Sequence, residues 1–126
     1  MATKYFTVEE ANAILPQIKP FLKALSEVYR AVTAKAGEIE PYVTQKVGGN
    51  GGHPEGGSFI LQLEQLSAGI NRVQSFGCII KDVESGLIDF PSLRDGHEVY
   101  LCWRLGEEKI EFWHDIDAGF VGRQPL

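Results

Sequence analysis

Between Val8 and Ile39, apolar or small residues recur at Val8, Ala11, Leu15, Ile18, Leu22, Leu25, Tyr29, Val32, Ala36 and Ile39. The spacings alternate between three and four without a miss, which is the seam of a helix packed against another helix at a low crossing angle. Thr7-Val8-Glu9-Glu10 marks its start. The pattern is a capping box: the threonine hydroxyl accepts from the backbone N–H of Glu10, and the glutamate carboxylate accepts from that of Thr7. Pro16 and Pro20 each delete a backbone hydrogen bond. They predict a short first helix over about 8–14, a kink, and a long helix from about Pro16 to Ile39 that stops before Pro41.

Residues 48–57, Gly-Gly-Asn-Gly-Gly-His-Pro-Glu-Gly-Gly, read as a linker. Their glycine spacing matches neither phosphate-cradling signature, and they join two helices instead of following a strand. A second helical segment covers 58–77, capped by Ser58, with a seam at Phe59, Leu63, Leu66, Ile70 and Val73 and a stop at Gly77. Gly69 inside it costs about 1 kcal/mol relative to alanine, which a close approach by the partner helix offsets.

Beyond Gly77 the period falls to two. Ile79–Val83 and Leu87–Phe90 flank Glu84-Ser85-Gly86, a three-residue hairpin loop that pairs Lys81 with Asp89 and Ile80 with Phe90. Val99–Leu105 and Glu108–His114 flank Gly106-Glu107, read as a second hairpin. Its implied pairs are Trp103 with Ile110, Leu101 with Phe112 and Val99 with His114 on one face. Tyr100 with Trp113 and Cys102 with Glu111 lie on the other. The expectation is a single α+β domain over 1–126, with an N-terminal antiparallel helical hairpin, 1–47 and 58–77. The hairpin packs on a four-stranded, mostly antiparallel sheet with a docked tail, 78–126.

Charge narrows the function. The net charge is -5, and all of the excess lies in residues 58–126, which hold six basic and eleven acidic residues. No basic stripe tracks phosphates, so nucleic acid is not an expected partner. The absence of an eighteen-residue apolar run and of a charged-then-apolar leader argues against a membrane span and a secretory signal. Two cysteines, Cys78 and Cys102, without Cys-x-x-Cys spacing, suit reduced packing residues in a cytoplasmic protein.

His114, Asp115 and Asp117 are the nearest approach to a metal-ligand cluster. Strand parity sends His114 and Asp115 to opposite faces, so the expectation is no metal and no cofactor. His114 is alternatively a general base oriented by Asp115, Asp117 or Glu98, or a polar strand end. His53 and His97 read as surface residues, and Asp82, Glu84, Asp89 and Asp95 as turns and a solvated edge. Trp103, Arg104, Trp113, His114 and Arg123 form a candidate site for a small anionic ligand, set against the plainer role of aromatic packing.

The segments YFTVEEANAILPQIKP, GCIIKDVESGLIDFPS and VYLCWRLGEEKIEFWHDIDAGFVGRQPL together resemble a bacterial family, domain of unknown function 2203. The resemblance spans nearly the whole chain and is most specific in the C-terminal WHD, AGF and GRQPL. It implies a fold and a bacterial, cytoplasmic setting, and no activity.

The seam from Val8 to Ile39 is about 48 Å long if straight, whereas the second helix offers about 25 Å. The surplus stripe must cover the sheet, bend at Pro16 or find a second subunit, and the leading expectation is a homodimer through the helices, in a non-enzymatic interaction module. The alternative is a protein that binds a small anion, or a modest enzyme, with its site at the C-terminal hairpin around His114. The tail 115–126 is expected to dock its apolar residues, with Arg123 clipped to Asp115 or Asp117 or else joining Arg104 at an anion site.

Overall fold

The structure, a computed structural model, describes residues 4–45 and 56–126, with residues 37–45 and 56–58 described by their backbone alone. Its elements run α1 (Val8–Gln45), α2 (Gly56–Gln74), β1 (Ile79–Asp82), β2 (Leu87–Arg94), β3 (His97–Arg104), β4 (Phe112–Asp115) and β5 (Gln124–Pro125), with a short 3-10 turn at Phe120–Gly122. The class is α+β, and the sheet has five strands in sequential order instead of the four expected.

The capping box forms as the sequence dictates. The Glu10 amide donates to the Thr7 hydroxyl at 3.0 Å, and the Thr7 amide to the Glu10 carboxylate at 2.9 Å. These two bonds hold the Glu10 carboxyl below its ordinary pKa, the backbone bond contributing most. The seam is equally faithful: Ala11, Leu15, Ile18, Leu22, Leu25 and Val32 are buried. The expected break is absent, however, and α1 runs as one helix through Pro16, Pro20 and Pro41. Pro16 and Pro20 are both exposed. They lie on the outer side of the helix, and the apolar stripe on the inner side keeps it together past the missing rungs.

The second helix is shifted at its start. It begins at Gly56, so Ser58 lies within its first turn instead of capping it, while the rest of the expected linker lies outside the described residues. Leu66, Ile70 and Val73 face inward as expected, but Leu63 is 41% exposed and Gln62 takes the half-buried position beside it. Gly69 is explained by contact: a Cβ there would lie 2.8 Å from Leu25 Cδ1. Gly77, with φ +104, provides the stop.

The sheet departs most from the expected register. The central hairpin is β2–β3, turned at Asp95-Gly96, where both residues have positive φ, 52 and 80. That is the backbone a two-residue type I′ turn requires. It pairs Asp89 with Cys102, Phe90 with Leu101 and Pro91 with Tyr100. In β1–β2 the pairs are Ile79 with Asp89 and Ile80 with Ile88, so the expected Lys81–Asp89 pair does not form.

Between β3 and β4 the connection is longer than two residues. Glu107 folds back to accept from the Arg104 amide, and the Ile110 amide donates to Asn12 of α1 at 2.8 Å. Strand β4 is consequently one residue out of the expected register, with Tyr100 opposite His114 and Leu101 opposite Trp113. Its side chains exchange faces, as a one-residue slip demands.

The helix-facing side of the sheet carries Ile80, Ile88, Phe90, Leu101 and Trp103, which join Ala11, Leu15, Ile18, Leu22 and Val73 in one apolar core. Phe6 covers the edge of β2 at Pro91 and Ser92. Its amide donates to the Pro91 carbonyl at 2.7 Å, and its carbonyl accepts from the Ser92 hydroxyl at 2.6 Å. Because the Pro91 carbonyl points to that side, so does its missing N–H, and the β2–β3 ladder loses nothing.

Candidate functional site

On the sheet face away from the core, three adjacent strands bring together Asp89 of β2, Cys102 of β3 and His114 of β4. Each is about 1% exposed, and one potential ligand atom from each lies within 4.8 Å of the others. Register explains the meeting. Asp89 sits directly opposite Cys102, and His114 sits opposite Tyr100, two residues from Cys102 on the same face.

His114 is held at both ring nitrogens. Nδ1 lies 2.8 Å from the Asp115 carbonyl oxygen and Nε2 lies 3.0 Å from Asp89 Oδ2. A carbonyl oxygen only accepts, so Nδ1 carries a proton. Nε2 then faces a carboxylate oxygen, and two lone pairs at that distance repel unless a proton or another cation lies between them. The second carboxylate oxygen, Asp89 Oδ1, is buried and accepts no hydrogen bond. Burial pushes the Cys102 thiol up to about 12, with the Asp89 carboxylate adding to the shift and the Arg123 guanidinium opposing it. The neutral thiol is a poor nucleophile at ordinary pH. Cys78, the other free cysteine, is buried in the apolar core and raised to about 11 by burial.

The cover over this face comes from aromatic rings and the tail. The Tyr100 and His114 rings lie 5.6 Å apart, and Lys81 sits 4.8 Å above Tyr100. The tail adds β5 along β4, pairing Gln124 with Trp113, and the Leu126 amide donates to the Glu111 carbonyl. Arg123 lies 4.1 Å from the Phe112 ring centroid, and its Nη2 donates to both Glu107 carboxylate oxygens at 2.7 and 2.8 Å. The clip expected at Asp115 or Asp117 is therefore made to Glu107. Backbone pairing and Arg123 anchor the tail, not apolar docking, since Val121 is 97% exposed.

The five residues expected to share one ligand site divide between the two faces. Trp103 and Trp113 face the helices; Arg104, His114 and Arg123 belong to the other side. Arg104 and Arg123 both rest on the Phe120 ring, at 5.0 and 4.7 Å. Asp115 and Asp117 are exposed and line an open depression of about 740 Å³ with His97 and Glu98. A smaller one of about 140 Å³ lies beside Tyr5, whose hydroxyl donates to Glu98. A third, of about 340 Å³, lies beside Lys19 and Trp103. Asp89, Cys102 and His114 line none of the three.

Asp89, read from sequence as part of a solvated edge, is a buried partner of His114. The signal that locates it is Asp95-Gly96. A two-residue turn at that dipeptide sets Asp89 opposite Cys102 by counting outward along both strands.

Fold and site define an α+β protein with a helical pair over one face of a five-stranded meander and a buried aspartate–cysteine–histidine cluster on the other. The chain belongs to the family described as uncharacterized conserved protein (DUF2203), whose sequence pattern matches residues 4–126. No curated protein and no solved structure matches the chain. Among the described residues no helix is long and apolar enough to cross a membrane.

Proposed function

We propose that this protein is a non-enzymatic, cytoplasmic interaction module that pairs with a second copy of itself through the helical hairpin. The observation that carries the reading is an apolar surface on α2. Ile60 and Leu61 are 57% and 61% exposed and Leu63 stands beside them, on a helix only half as long as α1. Isolated apolar residues on a surface are ordinary, but three within one turn form a patch that favours cover. A second copy suits it because α2 itself carries one acidic and one basic side chain, Glu64 and Arg72. Like-charge repulsion between two such helices is therefore small. A two-fold pairing is the commonest way for a surface of this kind to bury itself. Two free thiols, which suit a reducing compartment, support the cytoplasmic part of the reading. Sedimentation velocity at tens of micromolar gives a dimer for the parent and a monomer for Ile60→Glu/Leu61→Glu. A parent that sediments as a monomer overturns the reading.

One observation favours a second reading, a small-anion site: the guanidiniums of Arg104 and Arg123 meet at Phe120. In that case small anions raise the melting temperature of the parent and leave that of Arg123→Ala unchanged. A broad anion screen without effect on the parent removes it.

A further inference from the structure

We propose that Asp89, Cys102 and His114 bind one divalent transition-metal ion of the zinc class, through an Asp89 carboxylate oxygen, the Cys102 sulfur and Nε2 of His114. This replaces the expectation from sequence that the chain holds no metal.

Four observations converge. The three donor atoms already lie within 4.8 Å of one another on neighbouring strands, so a shared ion at the usual bond lengths of about 2.0–2.3 Å needs only small movements. Asp89 Oδ1 is fully buried without a partner, and a buried carboxylate oxygen left unsatisfied is costly. The Nδ1 proton of His114 is committed to the Asp115 carbonyl, which leaves the Nε2 lone pair aimed at Asp89. A ring N–H donated to a backbone carbonyl is the usual way a metal-binding histidine is oriented. Finally, thiol, imidazole and carboxylate form a donor set of borderline softness that suits zinc better than calcium or magnesium.

Charge and protons balance. A carboxylate and a thiolate neutralise the two positive charges of the ion, so no net charge is buried. Binding requires the Cys102 thiolate and an unprotonated Nε2, so protons leave to solvent as the ion enters. The thiol that burial and the Asp89 carboxylate keep protonated loses its proton readily once a cation sits beside it. Since the cluster lines none of the three depressions, the ion ties β2, β3 and β4 together. Asp115 and Asp117, which lie outside the cluster, take no part.

The test is cobalt(II) titration of the full chain after chelation and removal of the chelator. The proposal expects one cobalt per chain, a near-ultraviolet thiolate-to-cobalt band, and displacement by zinc. Cys102→Ser loses the band. Asp89→Asn and His114→Ala bind at least about tenfold more weakly, whereas Asp115→Asn/Asp117→Asn binds like the parent. Circular dichroism establishes that each variant is folded, and the measurements on the parent stand alone if one is not. A folded parent that yields no thiolate band with cobalt overturns the proposal. So does a band that survives in Cys102→Ser or disappears in Asp115→Asn/Asp117→Asn.

Discussion

The two faces of the sheet are both buried, by opposite means. Toward the helices, Ile88, Phe90, Leu101 and Trp103 meet the stripe of α1, and the burial is a continuous apolar core. On the other face, Asp89, Cys102 and His114 are shielded without a helical layer, beneath aromatic rings and a tail fastened by Arg123. Apolar burial stabilises in proportion to the area removed from water, and it tolerates exchange of one apolar side chain for another. Burial of a carboxylate and an imidazole stabilises only while both are present and correctly placed. The first face explains why the chain folds. The second carries groups whose burial folding alone does not require, and the chemistry is concentrated there.

The largest expected difference between the faces comes from truncating the core. Trp103→Ala lowers unfolding stability by about 3–5 kcal/mol in urea denaturation. Cys102→Ala, on the other face, removes a much smaller volume and costs correspondingly less. Equal losses would mean that one core spans both faces.

Next in size is the polar pair. In metal-free protein, His114→Leu or Asp89→Leu alone costs about 3 kcal/mol or more, because each strands a buried polar partner. The double variant loses less than the two single losses combined, which a double-mutant cycle reads directly. Additive losses would show that the two residues are buried independently.

The tail is expected to contribute less. Arg123→Ala costs about 1.5–3 kcal/mol through its charged hydrogen bonds, and Glu107→Gln adds little once Arg123 is gone. If instead Asp117→Asn reproduces the loss, Asp117 and not Glu107 holds the clip.

The smallest effect tests the helical cover. Thr7→Ala removes one half of the capping box and costs about 1 kcal/mol. The Glu10 carboxyl is held below its ordinary pKa in the folded chain. Its contribution is therefore fully present above the ordinary glutamate range and is lost as pH falls through the lowered folded value. The stability difference between parent and Glu10→Gln should shrink over that acidic window, and a difference that grows there would refute the bond.

The helical half was legible because its signal is long. Ten seam positions from Val8 to Ile39 outvote local disturbances, and Pro16 and Pro20 fail to break a helix whose outer face meets water. The sheet was legible only in outline. A four-residue strand such as β4 carries little periodicity, and Gly106-Glu107 imitates a tight turn while opening a longer connection pinned to Asn12. The resulting error of one residue separated His114 from Cys102, and reading Asp89 as solvated edge hid the third member. Asp95-Gly96 held the correction, since its turn geometry fixes the central hairpin independently of hydrophobic pattern.

Everything on the polar face depends on the register of β4. Cross-strand nuclear Overhauser contacts between backbone protons of β3 and β4 measure it directly. The expected contacts pair Tyr100 with His114 and Leu101 with Trp113. Contacts pairing Val99 with His114 and Leu101 with Phe112 would contradict it, since they turn His114 toward the helices and away from Asp89 and Cys102.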